Sequence, residues 1–198
     1  MWLAALTGLG LGCAHVFAGP DHLAAIAPLS RGGGARGAWL GARWGLGHSG
    51  GVALVALAAR ALLDAAQVEL LSSWSERIVG VALIALGLWG FYRSMRRALP
   101  EREQDARVHA HAAFGFGALH GLAGASHLLG VAPALAQPDG TATLVYLLGF
   151  TLGTIGAMAA FAAALGWFDA RSNLRWRERL GHVSCATALG VGVYWLAA

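Results

Sequence analysis

The chain has 198 residues, of which 57% are hydrophobic and only 12% charged, with a mean hydropathy of +0.59. Soluble domains average about 45–50% apolar and about 25% charged residues, so this composition excludes a soluble domain, a disordered chain and a nucleic-acid-binding domain. The net charge of +4 comes from 14 basic residues, all arginine; in a membrane protein such residues collect in cytoplasmic loops beside anionic lipid rather than marking a polymeric partner.

Six apolar stretches follow one another, at about 2–30, 38–63, 78–92, 112–136, 141–168 and 180–198. The length allows about six membrane-spanning helices with short loops, and the composition favours that over one soluble domain. The first stretch lacks a positively charged leader, and its pattern recurs later, so it reads as a span and not a cleaved signal. It is longer than a straight span requires and is interrupted at Gly19-Pro20, where proline suits the first turn of a new helix. His15 lies before this break, and Asp21 and His22 open the second half. The second stretch carries His48 ten residues in from Ala38, roughly 15 Å deep at the helical rise. Gly45, Gly47, Gly50 and Gly51 flank it and would permit close approach by another helix. Residues 94–111 mix both charge signs and read as a solvated cytoplasmic linker containing an HxH pair, His109 and His111. Cys13 and Cys185 sit far apart in apolar segments, so no disulfide framework is indicated.

The two sides of that linker are related. Residues 10–28, GLGCAHVFAGPDHLAAIAP, and residues 115–133, GFGALHGLAGASHLLGVAP, share nine of nineteen positions at an offset of 105, including His15/His120 and His22/His127. Chance would give about two matches. A weaker echo pairs Gly47-His48-Ser49-Gly50 with Gly153-Thr154-Ile155-Gly156. In the second copy Gly124-Ala125 stands for Gly-Pro and Ser126 for Asp21. The predicted architecture is therefore an all-α polytopic membrane protein. It has six transmembrane helices arranged as two inverted three-helix repeats (1–93 and 112–198), with the first helix broken in each repeat. Three spans per half make the copies cross the membrane in opposite directions, a hallmark of transporters. With six spans, twelve arginines fall on one side and only Arg60 and Arg77 on the other, which places both termini outside the cytoplasm.

Five histidines and one aspartate thus project to membrane depth: His15, Asp21, His22 and His48 from the first half, His120 and His127 from the second. A single histidine in a span is ordinarily a packing residue, but polar groups kept in both repeats beside an acid mark an ion path. Imidazoles with one carboxylate suit late first-row divalent ions, whereas a carboxylate-rich site would suit manganese, magnesium or calcium. Gly19, Pro20, Gly124 and Ser126 are the expected positions of helix breaking and gating. Two other classes fit less well. A b-type haem protein would use paired histidines but gives Asp21 no role. An intramembrane metalloenzyme needs more acid–base groups than this chain offers at that depth.

His15-Val-Phe-Ala-Gly19-Pro-Asp21-His22 resembles the HxxxGxDH pattern of hydrogenase- and urease-accessory permeases, and Leu46-Gly47-His48-Ser49 resembles the LGHS element of the nickel/cobalt transporter family. The run Gly19 to Ser30, with His120-Gly-Leu and Val131-Ala-Pro-Ala-Leu-Ala136, is similar to urease-accessory-type, nickel-transport-like membrane proteins of bacteria and plastids. The resemblance implies a secondary permease, not an enzyme, with His15, Asp21, His22 and His48 on the metal path. It also implies nickel or cobalt as cargo, no permanently bound cofactor, and a bacterial inner membrane as the location. Its partners would be the ion, the bilayer and at most further copies of itself.

Overall fold

Inside a bilayer a backbone is satisfied only when each N–H reaches a carbonyl of its own segment, so long apolar runs must coil. In the computed structural model the described residues form eight helices: α1 Trp2–Ala18, α2 Pro20–Ile26, α3 Gly34–Ala61, α4 Ala65–Met95, α5 Glu103–Leu122, α6 Leu128–Leu135, α7 Gly140–Arg171 and α8 Leu174–Ala197. The structure describes residues 1–27, 30, 33–61, 65–95, 103–122 and 128–197. Among these, α7 and α8 are long and apolar enough to cross a membrane, and α1 with α2 makes a third such element if the bent pair is one span.

The predicted break falls at Gly19. α1 stops at Ala18, Gly19 is extended at φ −95° and ψ 102°, and Pro20 opens α2 with the chain turned by 74°. Proline has no N–H to give to the preceding turn, and Gly19 carries the bend without a side chain. The corresponding positions Gly124 and Ser126 lie outside the described residues, between α5 and α6. Asp139 starts α7 by accepting the Ala142 N–H at 2.8 Å, and Asn173 starts α8 by accepting the Trp176 N–H at 3.1 Å. Arg177 of α8 reaches back to the buried Asp169 of α7 at 3.4 Å.

Close approach of glycine-lined faces sets the packing. Gly8 and Gly12 meet the backbone of Tyr146 and Phe150, and Gly149 and Gly153 meet that of Ala5 and Leu9, so α1 and α7 run side by side in the same direction. α3 and α5 do likewise, with Gly47 on Phe114, Gly117 on Trp44 and Gly121 on His48. α3 runs against α7, Gly41 on Met158 and Gly45 on Ile155, and α4 runs against α8, Gly80 on Gly192. Without a hydrophobic drive between helices in lipid, backbone proximity of this kind is what holds them. Gly50 has no neighbour within 4 Å and belongs to no seam, unlike Gly45, Gly47 and Gly51.

Two sequence boundaries shift. α5 begins at Glu103, so residues 103–111 are helix and not linker. α4 runs from Ala65 to Met95, well beyond the apolar stretch 78–92. Hydropathy follows the membrane, whereas the helix continues past it through solvent-compatible residues such as Gln67 and Arg77, both exposed. The surface is inverted relative to a soluble protein: Leu6, Leu54, Val81, Leu148, Leu152 and Val193 are exposed, while His15, Asp21, His22, His48 and His120 beside the bend in α1–α2 are buried.

Candidate metal centre

Helical periodicity and the bend together assemble the site. His15 lies one turn before the end of α1, and the turn at Gly19 folds Asp21 and His22 back toward it. His48 arrives from the middle of α3, and His120 from the last turn of α5. All five side chains are buried, His48 completely.

Three imidazoles converge through the same atom. His22 Nε2 lies 2.9 Å from His15 Nε2, which lies 3.1 Å from His48 Nε2. A single N–H on His15 cannot point at both neighbours at once, whereas a cation among the three would take a lone pair from each. On the opposite side of the His22 ring, Nδ1 lies 2.9 Å from Asp21 Oδ1, a bond in which the ring N–H donates and the carboxylate accepts. His120 Nε2 donates to the other oxygen, Oδ2, at 2.8 Å. Asp21 therefore joins a histidine of the first half to one of the second. Two sets of donor atoms result, His15–His22–His48 and Asp21–His22–His120, and the donors within each lie within 4.8 Å of one another.

The walls are aromatic. Trp44 stacks on His48 with centroids 5.0 Å apart and planes 8° from parallel, and its ring also meets His22 and His120. Phe150 of α7 covers His15 at 5.5 Å. These rings exclude water and fix imidazole orientation, as the hydrophobic shell of a metal site does. Gly19 is the tight point: a Cβ there would run into His22 Nδ1 and Asp21 Oδ1. Centroids of 4.4 and 5.1 Å from His15 to its histidine neighbours leave no room for a porphyrin between any of these rings.

Of the residues read from sequence, His15, Asp21, His22, His48 and His120 are brought together, and Gly19 and Pro20 form the bend beside them. His127 lies outside the described residues. His109 is not in a solvated loop. It is buried in α5 against the Trp89 ring, with Arg36 Nη2 3.3 Å from its Nδ1. Cys13 Sγ sits 3.5 Å from the Gly153 carbonyl, and His182 stacks on Phe91. Trp44 escaped the sequence reading, although its spacing of four from His48 places both on one helix face.

The chain belongs to the HupE/UreJ protein family, whose pattern it matches over residues 1–198. It is 35% identical to the chloroplast protein FOR GROWTH AND FERTILITY 1 of Arabidopsis thaliana and 33% identical to FOR GROWTH AND FERTILITY 2 of the same plant. These alignments cover 97% and 96% of this chain but 58% and 55% of the relatives, so the chain spans just over half their length. No solved structure matches it.

Proposed function

We propose that this HupE/UreJ family member is a secondary transporter that carries a late first-row divalent cation, nickel or cobalt foremost, through the histidine–aspartate cluster. The observation that supports this reading is the convergence of three Nε2 atoms within hydrogen-bond distance at a helix break, with Asp21 supplying negative charge behind one of them. Nitrogen donors favour cations late in the Irving–Williams series. His15, His22 and His48 hold the ion, and Asp21 sets the His22 tautomer and orientation, the usual arrangement of a metal-bound histidine. A tetrahedral ion with bonds of about 2.0 Å needs donors roughly 3.3 Å apart, so binding opens the cluster slightly.

The same reading takes the helices as six spans in two inverted repeats. The repeat carries α1 onto α5 at an offset of 105 and the Gly47 region of α3 onto the Gly153 region of α7 at an offset of 106. It thereby exchanges the α1–α7 seam, Gly12 with Phe150, for the α5–α3 seam, Gly117 with Trp44. A site at the repeat interface beside broken helices is where alternating access needs it. Both termini then lie on the extracytoplasmic face.

Cells expressing the chain are expected to change their nickel and cobalt content, and cells expressing His22→Ala at equal level are not. Unchanged metal content with the wild-type chain, or wild-type behaviour of the variant, would overturn the reading.

A further inference from the structure

The two donor sets share one ring. His22 offers Nε2 to His15, which in turn meets His48, and Nδ1 to Asp21, and Asp21 passes the contact on to His120. From these contacts we infer that the cluster is two cation stations in series, His15–His22–His48 and Asp21–His22–His120, which hold an ion alternately and never together. The inference rests on the transport reading above and deepens it.

Neutral imidazole carries one proton on two nitrogens, so only one of them is a donor to metal at a time. With the proton on Nδ1 and given to Asp21, the His22 lone pair lies at Nε2 and completes the first station. With the proton on Nε2 and given to His15, the lone pair lies at Nδ1 and completes the second. Passage of the ion from one station to the other is matched by a change of His22 tautomer: the proton displaced from Nδ1 by the ion is released to water, and Nε2, freed of the ion, takes one up from water, so the ring holds the same number of protons. In the second station the ligands are Asp21, His22 Nδ1 and His120 Nε2. His120 takes the tautomer with its proton on Nδ1, leaving the Nε2 lone pair for the ion.

The stations also differ in origin. Every ligand of the first comes from residues 15–48, whereas the second adds His120 from the other half. Displacement of the His120 side chain from Asp21 would therefore make or break the second station while leaving the first intact. That is the property a relay requires. The second set is more anionic by one carboxylate.

The test uses the full chain, purified and reconstituted in liposomes, with Co²⁺ alone as probe. Wild type is expected to bind one ion per chain and to transport it. His120→Ala is expected to keep Co²⁺ binding near the wild-type affinity through the first station while transport falls at least about tenfold. His120→Gln keeps an N–H for Asp21 but is a poor metal ligand, so it is expected to transport no better than His120→Ala. Wild-type transport by His120→Gln would mean that His120 only holds Asp21, and would overturn the second station while leaving the first standing. Two ions bound at once to wild type would overturn the alternation. Wild-type chain that neither binds nor moves Co²⁺ would overturn the transport reading and this inference together. A measurement independent of variant folding is ¹⁵N NMR of ring-labelled histidine with Zn²⁺. His22 is expected in two forms, metal-bound at Nε2 and at Nδ1, and an Nε2-bound form alone would overturn the proposal.

Discussion

Gly19 shows how little tolerance a single position leaves. Its backbone is extended and ordinary for any residue, yet a methyl group there would overlap the His22 and Asp21 side chains. Gly19→Ala is therefore expected to abolish metal transport without removing any donor atom, with expression and chromatographic profile unchanged. Normal transport by this variant would mean that the contact between Asp21 and His22 is dispensable. Protons supply a second residue-scale test. Imidazole binds a cation only when neutral, so protonating His15, His22 or His48 opposes binding. Co²⁺ affinity of the purified chain is expected to fall as pH drops through the histidine range, which for an unperturbed group centres at about 6.5. An affinity that rose on acidification would exclude the imidazoles as ligands. The donor set also orders the ions: nickel and cobalt should displace manganese and magnesium in competition. Displacement of nickel by equal manganese would move the ion onto Asp21 and backbone carbonyls.

Among the helices, the consequence of a glycine depends on which seam it occupies. Gly12 meets the Phe150 backbone and Gly121 meets that of His48, whereas Gly10 and Gly50 meet nothing within 4 Å. Gly12→Val and Gly121→Val are expected to destabilise the chain by about 1–3 kcal/mol or more through overpacking. Gly10→Ala and Gly50→Ala should be neutral or stabilising by up to about 1 kcal/mol. Thermal unfolding in detergent, followed by chromatography, reads the difference, and equal behaviour of the two pairs would contradict the seam geometry. The same seams explain what could be read from sequence. The helix break was legible because Gly19-Pro20 leaves a chemical mark, and the histidines stood out because polar groups are rare in apolar runs. Gly50 was misread as a packing residue because flanking glycines look alike in sequence and only the helix face separates them. The start of α5 at Glu103 was hidden because a charged helix beyond the membrane carries no hydropathy signal. Trp44 leaves no such mark, because its stacking on His48 is a tertiary contact. The pairing of His120 with Asp21 across 99 residues is likewise beyond local pattern.

For the whole molecule, the exposed leucines and the buried polar cluster describe a protein whose solvent is lipid. The orientation proposed for it rests on where the arginines fall. Arg31, Arg36 and Arg43 lie near the α2–α3 turn, Arg93 to Arg107 join the halves, and Arg171 to Arg179 lie at the α7–α8 turn. With six spans these three regions share one face, opposed only by Arg60 and Arg77. Basic residues near short loops stay on the cytoplasmic side, so the proposed six-span arrangement has both termini emerging on the other. A phosphatase reporter that works only outside the cytoplasm, fused after Ala198, is expected to be active, and a cysteine placed in the 96–102 segment should be labelled only from the cytoplasm. The bias is large enough to survive damage. Replacing Arg93, Arg96, Arg97 and Arg102 by alanine leaves eight of the original twelve against two, so the orientation should hold. A reporter active only in the cytoplasm would make the span count odd or the orientation reversed. An odd count would end the inverted-repeat reading, because two three-span halves cannot then be superposed. Cytoplasmic activity combined with outside labelling of 96–102 would instead preserve the repeats and overturn only the orientation.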